Sequence, residues 1–146
     1  MEVAQVQVFL QDQAGRLAEV AGALAANRID IRALSLADHT DFGILRLIVS
    51  DPARAEAVLR QAGFTVGQTP VVAVEVDDAP GGLATVLQAL QARGISLRYM
   101  YGSAAGRGGK AVVIFRFDVP EAAVAALREG GVRVLDLETA TAPQGS

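Results

Sequence analysis

The chain has 146 residues, 51% of them apolar and 20% charged, with a formal net charge of −3. This is a globular composition with enough length to bury a core, and it excludes a disordered chain. Zero cysteines exclude disulfides, thiolate metal sites and cysteine nucleophiles, and basic residues spread singly exclude the concentrated positive face that nucleic acid requires.

From the start, Ala4 to Leu10 alternates with Gln5 and Gln7 on one side, which predicts a strand with one wetter face. The basic start and apolar core of a signal peptide do not precede it, and no apolar run approaches membrane-spanning length, so the expected setting is cytoplasmic with no membrane partner. Leu17, Val20, Ala21, Leu24 and Ala25 recur at helical spacing, and Asn27-Arg28 ends that helix. Ile29 to Leu36 reads as a second strand and Phe42 to Val49 as a third, the latter apolar on both faces as a covered central strand would be. Pro52 stands just inside a helix that runs to Ala62, Gly63 stops it, and Phe64 to Val66 opens a fourth strand.

The second half repeats this order. It predicts strand Val71 to Val76, helix Leu83 to Ala92, strands Ile95 to Tyr101 and Ala111 to Phe117, helix Pro120 to Glu129 and strand Val132 to Leu137, with a frayed tail over 140–146. The repetition is visible in the residues themselves. Asp12-Gln13-Ala14-Gly15-Arg16-Leu17 is echoed by Asp78-Ala79-Pro80-Gly81-Gly82-Leu83, and at that spacing Val20 meets Val86, Leu24 meets Leu90 and Arg32 meets Arg98. Later the spacing grows by two, so that Pro52 meets Pro120, Leu59 meets Leu127 and Gly63 meets Gly131. These matches imply an internal duplication, with domains at 1–68 and 69–139 joined near Gly67-Gln68-Thr69-Pro70. The expected fold is α+β: two tandem ferredoxin-like βαββαβ units, each an antiparallel four-stranded sheet with two helices on one face. The apolar strand Val112 to Phe117 calls for cover on its other face too, by the other half or by a second copy in a homodimer.

Both halves place a glycine turn immediately before the first helix. Glycine admits close approach of a ligand, and the free N–H groups of a helix start attract a carboxylate. The same residues would also serve as ordinary caps and turns, with Asp12 and Asp78 as the cap side chains.

The pattern Asp-x-x-Gly-x-Leu, a helix, then Asn27-Arg28-Ile29-Asp30-Ile31 closely resembles the ACT domain, a regulatory amino-acid-binding module, and Gly94-Ile95-Ser96-Leu97 repeats its second part. The segments Ile31 to Asp38, Asp41 to Pro52 and Tyr99-Met100-Tyr101 resemble small bacterial tandem ACT proteins that lack an attached enzyme domain. The resemblance implies a free amino acid held between two modules, with its charged ends on the turn of one and the second strand of the other. Carried over by position, the turn residues are Gln13, Ala14, Gly15 and Arg16 in the first half and Ala79, Pro80, Gly81 and Gly82 in the second. Ser35, Asp38 and Phe42 of one half with Tyr99 and Tyr101 of the other are the side-chain candidates, with core or interface packing as the other reading of the two tyrosines.

Other motifs are set aside. Gly102 to Lys110 is glycine-rich, but Ala111 comes after the Lys where a phosphate loop has Ser or Thr, and a strand begins where that loop opens a helix. It reads as a flexible connection between two strands. His39 is the sole histidine and has no ligand cluster at metal spacing, and Asp38 with Asp41 reads as a pair of turn formers. Nothing nominates a nucleophile or a cofactor site, and Arg46 and Arg116 are the obvious strand candidates for a sheet-face enzyme. The reading is therefore a non-enzymatic sensor that binds a free amino acid and signals to a partner protein, or alternatively a ligand-free regulatory subunit of an amino-acid biosynthetic enzyme.

Overall fold

Alternation in the first segment produces β1 (Val3–Gln11), and helical spacing after Gly15 produces α1 (Arg16–Ala26). Next in the chain are β2 (Ile31–Asp38), β3 (Phe42–Val49), α2 (Pro52–Gln61), β4 (Thr65–Asp77), α3 (Gly82–Ala92), β5 (Leu97–Arg107), β6 (Lys110–Phe117), α4 (Pro120–Glu129), β7 (Val134–Leu135) and α5 (Leu137–Ala140). This computed structural model describes residues 2–11, 15–38 and 41–142, with the side chains of 104, 105 and 107 left aside. Gln13, Ala14 and His39 lie outside the described residues, as do Asp12 and 143–146 of the expected tail. The chain divides into two units, one of Ala4–Thr69 and one of Pro70–Ser146 with Met1–Val3.

In the first unit, β3 pairs antiparallel with β1 on one side and β2 on the other. Val6, Val8 and Leu10 of β1 and Leu45 and Leu47 of β3 point to one face, where Val20 and Leu24 of α1 and Ala55 and Leu59 of α2 close the core. Each of these buried valine and leucine side chains contributes about 1.5–3 kcal/mol relative to exposure. In the second unit β6 pairs with β5 and β4, and β4 pairs with the short β7. Val72, Val74, Val86, Leu90, Phe115, Phe117 and Leu127 form its core.

The two units repeat each other in register as well as in sequence. Val8 faces Leu45 as Val74 faces Val113, and Gln11 faces Phe42 as Asp77 faces Lys110. Even the irregularity recurs: pairing slips between Ile31 and Ala33 against β3, and between Leu97 and Tyr99 against β6. The residue in each slip is an arginine, Arg32 or Arg98, ion-paired to Asp30 and Asp118 respectively. An added strand residue of this kind re-aims the side chains beyond it, here the candidate residues Ser35, Tyr99 and Tyr101.

Two expectations are corrected. The halves do not hold separate four-stranded sheets, because the fourth strand of the first and the first strand of the second are one uninterrupted strand, the 13-residue β4. Pro70 suggests a join, yet its fixed φ suits an extended chain and costs only one donor. The glycine-rich connection is also shorter than expected. β5 continues to Arg107 and turns on Gly108 and Gly109 alone, whose φ values of 61° and 77° are the two positive angles a type I′ hairpin turn needs. Beyond β7, which is only two residues, residues 137–140 are helical. The Asp136 carboxylate accepts from the Thr139 amide at 2.7 Å. That bond holds its pKa below the ordinary 3.8, so this cap is complete above that value and is lost as the pH falls through the lowered one.

The second helices differ at their caps. Asp51 accepts the Arg54 amide at 3.2 Å at the start of α2, while the equivalent residue before α4, Val119, has no side-chain bond to give. Chemical denaturation should show Asp51→Ala losing about 1 kcal/mol and Val119→Asp gaining a similar amount. Equal effects of opposite sign are the expected result, and an unchanged Val119→Asp would contradict it.

Candidate functional site

The N-caps of α1 and α3 are glycines in the same left-handed conformation, Gly15 at φ 89°, ψ −12° and Gly81 at φ 88°, ψ −9°. The cap position is therefore glycine in both units, and the expected capping role of Asp78 is not seen: its amide donates to the Gly109 carbonyl at 2.9 Å. Only glycine enters this region without strain, and a Cβ at either position meets nothing within 4 Å, so backbone angle and not crowding requires glycine there. Each glycine carbonyl accepts the amide four residues on, from Glu19 and from Thr85. At the start of α3 the Gly82 amide already donates to the Ala79 carbonyl at 3.0 Å.

In the first unit this start borders a cleft of about 260 Å³. It is lined by Phe9, Leu10 and Gln11 at the end of β1, Phe42 at the start of β3, Gly63 and Thr65, and Arg16. Arg16 is held in place from two sides. Its guanidinium carbon lies 4.1 Å from the centre of the Phe64 ring, and its Nη1 is 2.8 Å from Glu19. Among the described residues its buried Nε has no hydrogen-bond partner. The Phe9 and Phe42 rings are 6.0 Å apart and tilted, and both side chains are exposed.

The structure thus brings together Arg16 and Phe42 of the expected set and places Gly15 at the head of the helix that carries Arg16. Ser35 lies across from Arg46, on the same sheet face as Phe42 by register; Asp38 lies across from Gly43 on the opposite face, exposed. Sequence reasoning missed Phe9, Gln11, Gly63, Thr65 and the ring of Phe64. The wetter face expected of β1 is not uniform: Gln5 is fully buried, while Phe9 on the same side of the strand is exposed.

In the second unit Tyr99 and Tyr101 share a face of β5 and stack, with ring centres 6.5 Å apart at 17°. Ala79, Pro80 and Gly81 are exposed, and Gly82 is buried. A Cβ on Gly82 would overlap the Asp77 carbonyl oxygen, so α3 starts hard against the end of β4. Nearby, Lys110 pairs with Asp77 and Arg133 with Glu75. The Asp77 hydrogen bond, then its charge, holds the Lys110 ammonium above the usual lysine range. Among the described residues no group of three or more His, Cys, Asp or Glu is placed to hold a metal, and no helix is long and apolar enough to cross a membrane.

Comparison with known proteins gives the fold a family. No curated protein matches the chain. Protein BT0572 from Bacteroides thetaiotaomicron is 36% identical, with a TM-score of 0.91 over 98% of both chains. The ligand-free regulatory subunit of aspartate kinase from Thermus thermophilus is 21% identical, with a TM-score of 0.61 over 87% of this chain and 91% of that one. Its counterpart from Thermus flavus is 20% identical, with a TM-score of 0.58 over 90% and 94%. At such identities the two subunits share the fold. The family described as the ACT domain pair matches residues 1–135, and the chain belongs to it.

Proposed function

We propose that this chain is a non-catalytic regulatory sensor: it binds a free amino acid at the glycine turn that precedes a module's first helix and signals to a partner protein, acting as a homodimer. The modules are taken as 1–68 and 69–139. The observation that carries the reading is the pair of left-handed glycine caps at matching angles, one of which heads a cleft with a pre-positioned arginine. A zwitterion has a carboxylate for the helix amides and the guanidinium, and it needs no acid, base or metal from the protein. Membership of the ACT domain pair family and the likeness in fold to aspartate kinase regulatory subunits support a regulatory role, and make an enzyme of amino-acid biosynthesis the partner to seek.

A melting scan against the twenty amino acids tests this. A ligand at 100 times its Kd adds about 2.7 kcal/mol of stability, so at least one amino acid should raise Tm by several degrees. Gly15→Val, which forces a β-branched residue to φ 89°, should remove that response in a folded chain. A flat panel at millimolar concentration, with a stoichiometric enzyme co-purifying, would favour a ligand-free regulatory subunit instead.

A further inference from the structure

Laying one unit's corner over the other's by the repeat shows two chemistries at equivalent positions. Phe9 corresponds to Glu75, Gln11 to Asp77 and Arg16 to Gly82; Phe42 corresponds to Lys110 and Thr65 to Arg133. In the first unit these positions form a cleft whose one cation is preset by Phe64 and Glu19. In the second they pair among themselves, Lys110 with Asp77 and Arg133 with Glu75, and the residue that would supply the cation is a glycine packed on the backbone of Asp77.

We infer that the two modules are not equivalent: the first takes one amino acid with an aromatic or large apolar side chain, its carboxylate on Arg16, and the corresponding corner of the second, which has Gly82 in place of that arginine and the carboxylates of Glu75 and Asp77 in place of Phe9 and Gln11, takes none. This rests on the sensing role proposed above. Three features fix the ligand class. The Glu19 partner of Arg16 is more than half exposed, so the pair is weak and a ligand carboxylate can share the guanidinium. The Phe9 and Phe42 rings beside it offer apolar faces to a side chain, and the polar residues that line the rest of the cleft, Gln11 and Thr65, carry no charge for a cationic one. The 260 Å³ volume falls just under the roughly 300–1,000 Å³ of drug-sized sites and suits a single small metabolite.

Isothermal titration of the full chain with L-phenylalanine, L-leucine, glycine and L-lysine tests the inference. Expected are one site per chain for phenylalanine or leucine, weaker binding of glycine and lysine, and about 30-fold loss in Arg16→Gln, equivalent to about 2 kcal/mol. Lys110→Gln and Arg133→Gln should bind within twofold of the parent. Phe9→Ala, at an exposed position, should keep the parent's circular dichroism and lose affinity for phenylalanine more than for glycine, which covers the case of an unfolded Arg16→Gln. Two sites per chain, loss in Lys110→Gln but not Arg16→Gln, or tighter binding of lysine than of leucine would overturn the inference and leave amino-acid sensing standing. Binding of none of the twenty amino acids would overturn both.

Discussion

Phe115→Ala is expected to lower the unfolding free energy by about 3–5 kcal/mol, among the largest effects a single truncation can have. Phe115 is fully buried in β6, its ring 5.7 Å from that of Phe117 and nearly parallel to it. It sits across from Val72 and within the cluster that holds Val86, Leu90 and Leu127. Truncation removes the transfer energy of the ring and leaves a void that two strands and two helices cannot collapse around without moving backbone. Phe42→Ala, at a ring already exposed, should cost under about 1 kcal/mol in the same urea titration. A similar loss for both would contradict the placement of the core.

Gly82→Ala is the second large effect. The added methyl would overlap the Asp77 carbonyl oxygen and meet its carbon at 2.9 Å, and these are backbone atoms that no rotamer change can clear. A loss of about 3 kcal/mol or more is expected, at the upper end for overpacking. Gly22→Ala is the control of opposite sign. Gly22 is exposed within α1 with nothing within 4 Å of its Cβ, so alanine should stabilise the helix by about 1 kcal/mol. Thermal melts of the two variants should therefore shift in opposite directions. A Gly82→Ala protein as stable as the parent would mean that α3 does not start against β4 as described.

How much of this fold is legible in sequence depends on whether the signal is local. β3 and α4 have the limits their residues predict, Phe42–Val49 and Pro120–Glu129, because a two-faced apolar run and a proline-initiated helix ending at Gly130 are written in adjacent residues. The end of β5 is not legible, since Gly102 to Arg107 has no β-branched or aromatic residue to mark a strand; its pairing with β6 comes from the two-glycine turn. The continuous β4 is hidden by Gly67 and Pro70, both ordinary marks of a break. At the candidate site, the glycine turns stand out as a repeated motif, and Arg16 and Phe42 come from the family resemblance. Phe9, Gly63 and Thr65 do not, because they approach Arg16 only once β1, β3 and β4 are assembled. The difference between the corners is likewise invisible until Lys110 and Asp77 face each other across a ladder.

The most direct measurement is a crystal structure of the full chain grown with the amino acid that gives the largest rise in Tm. The account predicts ligand density beside Arg16, its carboxylate on the guanidinium and the first amides of α1. Density elsewhere on the chain, with the Phe9 and Phe42 corner unoccupied, would contradict it.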